Sequence, residues 1–430
     1  MDKQNLTGWG LFPKIKSLCV SAPTTLPHLQ NLKNPFIPFG NGRSYGDSAL
    51  AETTLHTRNH QQILSFNLET GVLHAQGGIL LSEILKVIMP KGWFLNVTPG
   101  TSLITLGGAI ASDIHGKNHH LHGCFSEDVI EFTLLNHLGT FTIQKQDPWF
   151  YATCGGMGLT GIILDAKIQL KNIKSNLIQQ TTIKTKNLKE TFETFQTYQH
   201  LPYSVAWIDC LAKKNQQGRC IFMGGDFCSN GPLHYSQAFQ LKIPFYFPNW
   251  TLNTYTVSAF NTAYYFKTKK ETSQQIVPFH QFFYPLDNIS DWNKLYGKNG
   301  LTQYQFIIPK QFSHDGLSEI LTLISNSGKG SFLAVLKLYG PENKNYLSFP
   351  IEGYSLALDF KIEPDLFPLL NELDKIVLNY KGRLYLSKDV RVSADVFEKG
   401  YPLIQAFRTF RKQYGLTEFF QSYQSRRLNL

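Results

Sequence analysis

Charge is scarce in this chain. Only 17% of its 430 residues are Asp, Glu, Lys or Arg, well below the usual share, and that scarcity excludes a disordered chain or a long coiled coil. Long apolar runs are also missing. No stretch reaches the roughly 18 apolar residues a spanning helix needs, and the first ten residues contain no uninterrupted apolar h-region. The expected location is therefore cytoplasmic, or peripheral to the inner membrane. Cysteine is sparse too: the six are scattered without a C-x-x-C pair, which excludes a disulfide scaffold or a zinc ribbon and leaves reduced thiols.

What is present is apolar and aromatic. Hydrophobic residues make up 42% and aromatic residues 13%, enough to bury a sizeable core in two or three domains and to line apolar pockets. The net charge is +10, and its distribution is uneven. Residues 381–430 hold ten Lys or Arg against four acids, more than half of the excess. No helix-turn-helix, zinc-finger or RNP pattern accompanies this charge and the aromatics lie elsewhere, so nucleic acid is not an expected partner. A solvated helical face, a phosphate or an anionic lipid headgroup suits it better.

Near the N-terminus a short apolar piece from Phe36 runs into Gly40-Asn41-Gly42-Arg43-Ser44-Tyr45-Gly46-Asp47, which reads as a strand feeding a ligand-facing loop. Val72 to Gln76 alternates as a strand. A short amphipathic helix follows, with Ser82 as its expected cap and Pro90 as its end. Gly156-Met157-Gly158-Leu159-Thr160-Gly161 matches G-x-G-x-x-G, but Ile162 to Leu170 is β-rich, whereas a Rossmann loop must open a helix. A glycine turn leading into a strand beside a cofactor fits that context.

His115, His119, His120 and His122 form a cluster without a neighbouring carboxylate or cysteine to complete a ligand set, and Gly116 and Asn118 oppose a helix there. A polar, cofactor-facing loop is expected and no metal. Between about 180 and 380 the sequence changes to longer alternating apolar segments, read as a second, mixed domain. Its aromatic stretch 241–270 suits either core or a site for a bulky apolar substrate. A helical pattern resumes from Pro402, with Gly415 as its expected C-cap.

Several motifs taken together carry a resemblance. They are the Gly40–Asp47 loop, Thr98-Pro99-Gly100-Thr101, Leu106 through His120 with its His-Gly-Lys-Asn-His-His string, and Gly155 through Gly161. These resemble the PCMH-type FAD-binding oxidases of the vanillyl-alcohol oxidase superfamily. Gln303-Tyr304-Gln305-Phe306, Leu336-Lys337-Leu338-Tyr339-Gly340, Leu347-Ser348-Phe349-Pro350 and Gly382-Arg383-Leu384-Tyr385 with Lys388-Asp389 narrow the similarity to the flavin-subunit family of decaprenylphosphoryl-β-D-ribose 2-epimerase. The likeness runs from Gly8-Trp9-Gly10 to Arg426-Arg427-Leu428.

The resemblance implies an α+β fold: a two-lobed FAD-binding domain from residues 1–178 and 383–430, with a mixed antiparallel-sheet substrate domain, 179–382, inserted between. It places FAD, held non-covalently, on Pro38, Phe39, Gly40, Asn41, Gly42, Arg43, Ser44, Tyr45, Gly46, Asp47 and Ser48. Gly100, Thr105, Leu106, Gly107 and Gly108 would continue that site. Ser112, Asp113, Ile114, His115, Ile162 and Tyr385 would complete it. Glycines suit such a task because backbone N–H groups can approach phosphates without a Cβ in the way.

It further implies oxidation of the C2′ hydroxyl of a polyprenyl-phosphoryl ribose by hydride transfer to flavin, the first half of an epimerisation. An NAD(P)H-dependent short-chain reductase would be the partner, and quinone or oxygen the electron acceptor. Lys388, Tyr45 and His115 take the catalytic roles. Lys117, Trp207, Gln303, Gln305, Lys337 and Lys388 would contact substrate. Ala357, Ser355 and Phe283 stand where family members carry Cys, Asn and Tyr, which bears on substrate identity. The alternative enzyme is an aldonolactone or alditol oxidase acting on a soluble sugar. A non-catalytic peripheral-membrane module using the C-terminal charge is the reading from a different class.

Overall fold

The computed structural model describes residues 3–33, 35–235 and 240–430. Helices and sheets are mixed, an α+β arrangement. Near the N-terminus a four-stranded sheet joins Gln4–Leu6, Ile15–Ser21, Thr53–His56 and Ile37–Phe39 in that order, the last three in parallel. A six-stranded antiparallel sheet follows, centred on Ile162–Asn172 between Val72–Gln76 and Val129–Asn136. The glycine turn before Ile162 therefore enters a strand, as its β-rich context requires.

The helix predicted after Val72–Gln76 spans Leu81–Ile88, beginning two residues earlier than a Ser82 cap would set it. Ser82 lies inside its first turn rather than at the cap. The Glu83 carboxylate instead accepts from the Leu80 backbone N–H at 2.8 Å, and a 3-10 turn, Met89–Lys91, carries the chain through Pro90. Gly415 sits just past helix Ile404–Gln413 with φ +64°, the left-handed conformation that ends helices.

The third sheet has eight strands and fixes the geometry of the site. Its order is Thr272–Pro278, Leu177–Thr185, Cys220–Phe227, Tyr203–Ile208, Ala334–Tyr339, Gly353–Lys361, Leu301–Pro309 and Arg383–Leu384. Successive strand residues point to opposite faces. One set, which includes Ala206, Phe222, Phe306, Leu336 and Leu356, is wholly buried against helices Leu188–Thr197, Ser313–Ser327 and Leu366–Asn379. Burying such a large side chain is worth about 1.5–3 kcal/mol, so this face fixes the register. The opposite set, Trp207, Lys337, Ser355, Ala357, Gln303 and Gln305, is thereby turned the other way, into a cavity.

The chain ends close on the N-terminal sheet. Phe36 bridges Phe420, the Tyr423 N–H bonds the Leu50 carbonyl, and the last residues share a core with Ile37, Ile162 and Met157. The six cysteines are free. Among the described residues, no helix is long and apolar enough to cross a membrane.

Candidate functional site

A cavity of about 1290 Å³ lies between the glycine-rich loops and the eight-stranded sheet. One wall comes from Pro38, Gly40 to Tyr45 and Ser48, together with Gly100, Thr105, Gly107, Gly108, Ser112, Ile114 and His115. Gly158 and Gly161 of the glycine turn also reach it. The opposite wall holds Trp207, Gln303, Gln305 and Lys337, with Lys117, Tyr385 and Lys388 where the two meet. The sequence thus names most of this lining before any coordinates are considered. The three departures, Phe283, Ser355 and Ala357, line the same space.

The first wall is shaped for close approach. Thr105 caps helix Leu106–Ala111 by accepting from the Gly108 N–H at 3.1 Å. A Cβ on Gly40 would fall 2.5 Å from the Thr105 hydroxyl, so only glycine lets the 40–46 loop lie against that cap. Gly42 has φ +61°, and a Cβ on Gly100 would meet nothing within 4 Å, leaving its backbone open. Arg43 lies over the Trp9 ring at 4.1 Å, facing the carboxylate of Asp287. This is the chemistry a dinucleotide diphosphate calls for: bare backbone, a guanidinium and small side chains. FAD fits it.

His115 marks the junction of the walls. Its ring is held by Tyr339, Tyr385 and Phe349 at centroid distances of 4.9, 5.0 and 5.6 Å, and its Nε2 lies 3.2 Å from the Gln305 amide nitrogen. Burial, then the charge of Lys337, pushes its pKa well below the ordinary histidine value, so it is a neutral imidazole. Its Nδ1 is buried without a protein partner, a polar atom left for a bound group.

Three lysines converge beside it. Burial lowers Lys117 to about 7, helped by Lys337, and Lys337 to about 8. The Lys117 ammonium donates to the Phe283 carbonyl at 3.1 Å. Lys388 lies 4.0 Å from the centre of the Tyr45 ring, and burial lowers its pKa while Asp359 opposes that shift. Asp359 is itself buried. Desolvation raises its carboxyl although Gln303 donates to it at 2.5 Å. Such a cluster binds an anion and offers an amine that loses its proton readily.

Six of the residues assigned to FAD lie behind the lining instead. Phe39 points to the other side of its strand, against His56, and Leu106 belongs to the core. Ile162 does too, because the strand alternation gives the cavity Ile163 in its place. A Cβ on Gly46 would strike the Asp389 carbonyl, so this glycine serves a chain crossing. Asp47 pairs with Arg427 at 2.8 Å. Asp113 accepts from Asn343, Asn345 and Ser348 on one oxygen, tying the loop before His115 to residues 343–348.

The histidine cluster disperses. His119 accepts from the Gly340 N–H, His120 contacts the Leu201 carbonyl, and His122 pairs with Asp128 at 2.9 Å. A one-turn helix, His119–His122, does form after Asn118. Part of the C-terminal charge turns inward: Arg391 pairs with Asp374, and Arg411, wholly buried, donates to the Leu159 and Leu416 carbonyls, whereas Arg426 pairs with Glu52 at the surface and Lys381, Lys399 and Lys412 are exposed.

Two acidic residues escape the sequence reading. Asp287 accepts from Thr101 and Ser102 at 2.6–2.8 Å and joins the FAD-side loop to the sheet side. Asp359 is the other, and the alternation Ser355, Ala357, Asp359 was the signal for it.

Residues 25–143 match the family model of an FAD binding domain. The chain is 35% identical over 410 residues to decaprenylphosphoryl-β-D-ribose oxidase of Mycolicibacterium smegmatis, covering 91% of this chain and 88% of that protein. It is 27% identical to an uncharacterized Streptomyces coelicolor protein over 82% of this chain and all of that one. A 128-residue stretch is 31% identical to D-arabinono-1,4-lactone oxidase of Candida glabrata, covering 28% of this chain and 24% of that enzyme. With the glycine-walled cavity and an identity that spans nearly the whole of both proteins, the chain belongs to the decaprenylphosphoryl-β-D-ribose oxidase family of FAD-dependent oxidoreductases.

Proposed function

We propose that this chain oxidises a secondary sugar hydroxyl, the C2′ hydroxyl of a polyprenyl-phosphoryl ribose, to a ketone. Bound FAD supplies the acceptor for the hydride that leaves the sugar carbon. The hydroxyl must lose its proton in the same event, and the carrying observation is Lys388, a buried amine of lowered pKa that lines the cavity beside Tyr45 of the flavin loop. Lys388 takes that proton in its neutral form. Gln303 and Gln305 stand two residues apart on one strand face and hold the sugar. Tyr45, under the Lys388 ammonium, fixes the amine's direction. Lys337 and Lys117 receive the phosphate, and Trp207 closes the pocket.

In this reading residues 1–178 and 383–430 form the FAD side and the inserted 179–382 the substrate side. FAD is held without a covalent bond. The His115 ring is wedged among three aromatic rings with Nε2 engaged by Gln305, which supports a positioning role over attachment. The ketone passes to an NAD(P)H-dependent reductase that returns the arabinose epimer, and quinone or oxygen accepts the flavin's electrons.

The test is anaerobic flavin bleaching with polyprenyl-phosphoryl ribose beside arabinono-1,4-lactone. Bleaching by the phosphoryl ribose supports the assignment; turnover of the lactone alone would replace it with the soluble-sugar oxidase. Acid precipitation of the protein leaves the flavin in solution if it is not covalently bound.

A further inference from the structure

The aromatic stretch 241–270 serves the roles its composition suggests only in part: Tyr265 is buried, and Phe260 and Tyr264 line the cavity. Most of its large rings are neither core nor cavity lining; they face solvent. Tyr255 is 86% exposed and Trp250 75%, and Phe245, Phe266 and Phe260 are exposed as well. Exposed aromatic rings on one continuous segment carry a solvation cost unless something covers them.

The backbone beneath these rings is well anchored. Leu241–Lys242 pairs with Ile289–Ser290, the Phe247 N–H bonds the Lys294 carbonyl, and Lys361 donates to the Asn249 and Leu252 carbonyls. Asn253 then caps helix Thr254–Lys267. That helix buries Val257, Asn261 and Tyr265 beneath it, sets Tyr264 against Trp207 and leaves Tyr255, Phe260 and Phe266 exposed. The segment is thus a built surface and not an unfolded tail.

Two further observations indicate what covers it. Residues 241–270 carry four lysines, at 242, 267, 269 and 270, and not one carboxylate. Glu271, the next acid, is paired with Lys186. The segment also borders the cavity: Ile289 and Ser290, Phe260, and exposed Lys267, Lys269 and Lys270 all line it, so the cavity reaches the surface here. Trp, Tyr and Phe flanked by lysine at both ends, without acids, match the boundary of a bilayer with anionic headgroups, where rings sit at headgroup depth and ammonium groups meet phosphates.

We propose that residues 241–270 are a membrane-docking surface that seats the mouth of the cavity on an anionic leaflet. The docking stands on its own observations. Its use, passing a lipid-linked sugar from the bilayer to Lys388, rests on the function proposed above.

The experiment is co-sedimentation of the full-length holoprotein with vesicles of phosphatidylcholine containing phosphatidylglycerol, and with vesicles of phosphatidylcholine alone. Trp250→Ser combined with Tyr255→Ser, which line no part of the cavity, provides the variant. The expected result is sedimentation with the anionic vesicles, weakened by salt, and about tenfold weaker partition of the variant. The variant's flavin absorbance and its reduction by a water-soluble short-chain phosphoryl ribose stay unchanged. Wild-type protein that remains in the supernatant, a variant that sediments like wild type, or equal binding to the uncharged vesicles would overturn the proposal. So would vesicle-free self-association that the variant abolishes, which would make this surface a contact between copies. Anionic-vesicle binding without flavin reduction by the phosphoryl ribose would keep the docking and reject the substrate.

Discussion

At the scale of single residues, the chemistry turns on one amine and one carboxylate. Lys388→Ala is expected to keep FAD, because the glycine-loop backbone and Arg43 form the flavin wall without that amine, and to slow substrate-dependent flavin reduction on the order of a hundredfold. Flavin reduction by substrate at an unchanged rate would remove Lys388 from the proton transfer. The sign of the pH dependence follows from its environment. Burial lowers the Lys388 pKa, and only the neutral amine accepts a proton, so reduction should rise with pH through a midpoint below the ordinary lysine value of about 10.4. Asp359 opposes the lowering by stabilising the ammonium. Asp359→Asn should therefore move the midpoint further down, and a rapid-mixing pH profile identical to wild type would break that coupling. Lys388 was legible in the Lys388-Asp389 motif. For Asp359 the alternation with Ser355 and Ala357 gives only its face of the strand; its role comes from Gln303, 56 residues away, through a strand pairing that the sequence does not state.

At the scale of elements, alternation explains both the successes and the misplacements. The period of two in Gln303-Tyr304-Gln305 and Ser355-Leu356-Ala357 already separates a polar face from an apolar one, and the structure turns the polar face to the cavity. Motif matching, by contrast, takes contiguous residues together. It assigned Phe39 and Ile162 to FAD although each is one strand position out of phase, with Pro38 and Ile163 facing inward instead. Asp113 shows a second way in which contiguity misleads. Its backbone is left-handed at φ +38°, and its carboxylate receives three side-chain donors from residues 343–348, on a segment more than two hundred residues away. Asp113→Asn would set an NH₂ group either against those donors or against the Ser126 N–H that the other oxygen accepts, leaving at least one donor unpaired at about 1–3 kcal/mol. The loop that carries Ser112 and His115 into the cavity would loosen. FAD affinity should fall about tenfold by fluorescence titration, by the same energy, while the Lys388 pH midpoint stays in place. Unaltered FAD affinity would show that the latch does not support the flavin wall.

For the whole molecule, part of the positive charge at the C-terminus is an internal fastening. Arg427 reaches Asp47 at 2.8 Å and Asp389 at 2.9 Å, both buried carboxylates. Those partners lie at the end of the glycine loop and beside Lys388, so one guanidinium joins the C-terminal helix, the FAD loop and the catalytic segment. The sequence shows the charge but not its direction, since an arginine on a helix reads the same whether it faces water or a buried acid. Its partners are set by the return of the chain end to the first sheet, where Phe36 meets Phe420. Burial raises the Asp47 carboxyl and Arg427 lowers it, so without Arg427 this carboxylate would be left buried and uncompensated. Arg427→Ala should then cost about 3 kcal/mol, somewhat reduced by the partial exposure of the guanidinium. Flavin should leave before the eight-stranded sheet melts, because the lost bonds fasten the flavin loop and not the sheet. Following flavin fluorescence and far-ultraviolet circular dichroism during one thermal ramp checks this: an earlier flavin transition with an unmoved sheet transition is expected. A single shared transition, lowered as one, would mean that the two parts of the molecule unfold as a unit and that the arginine holds them both.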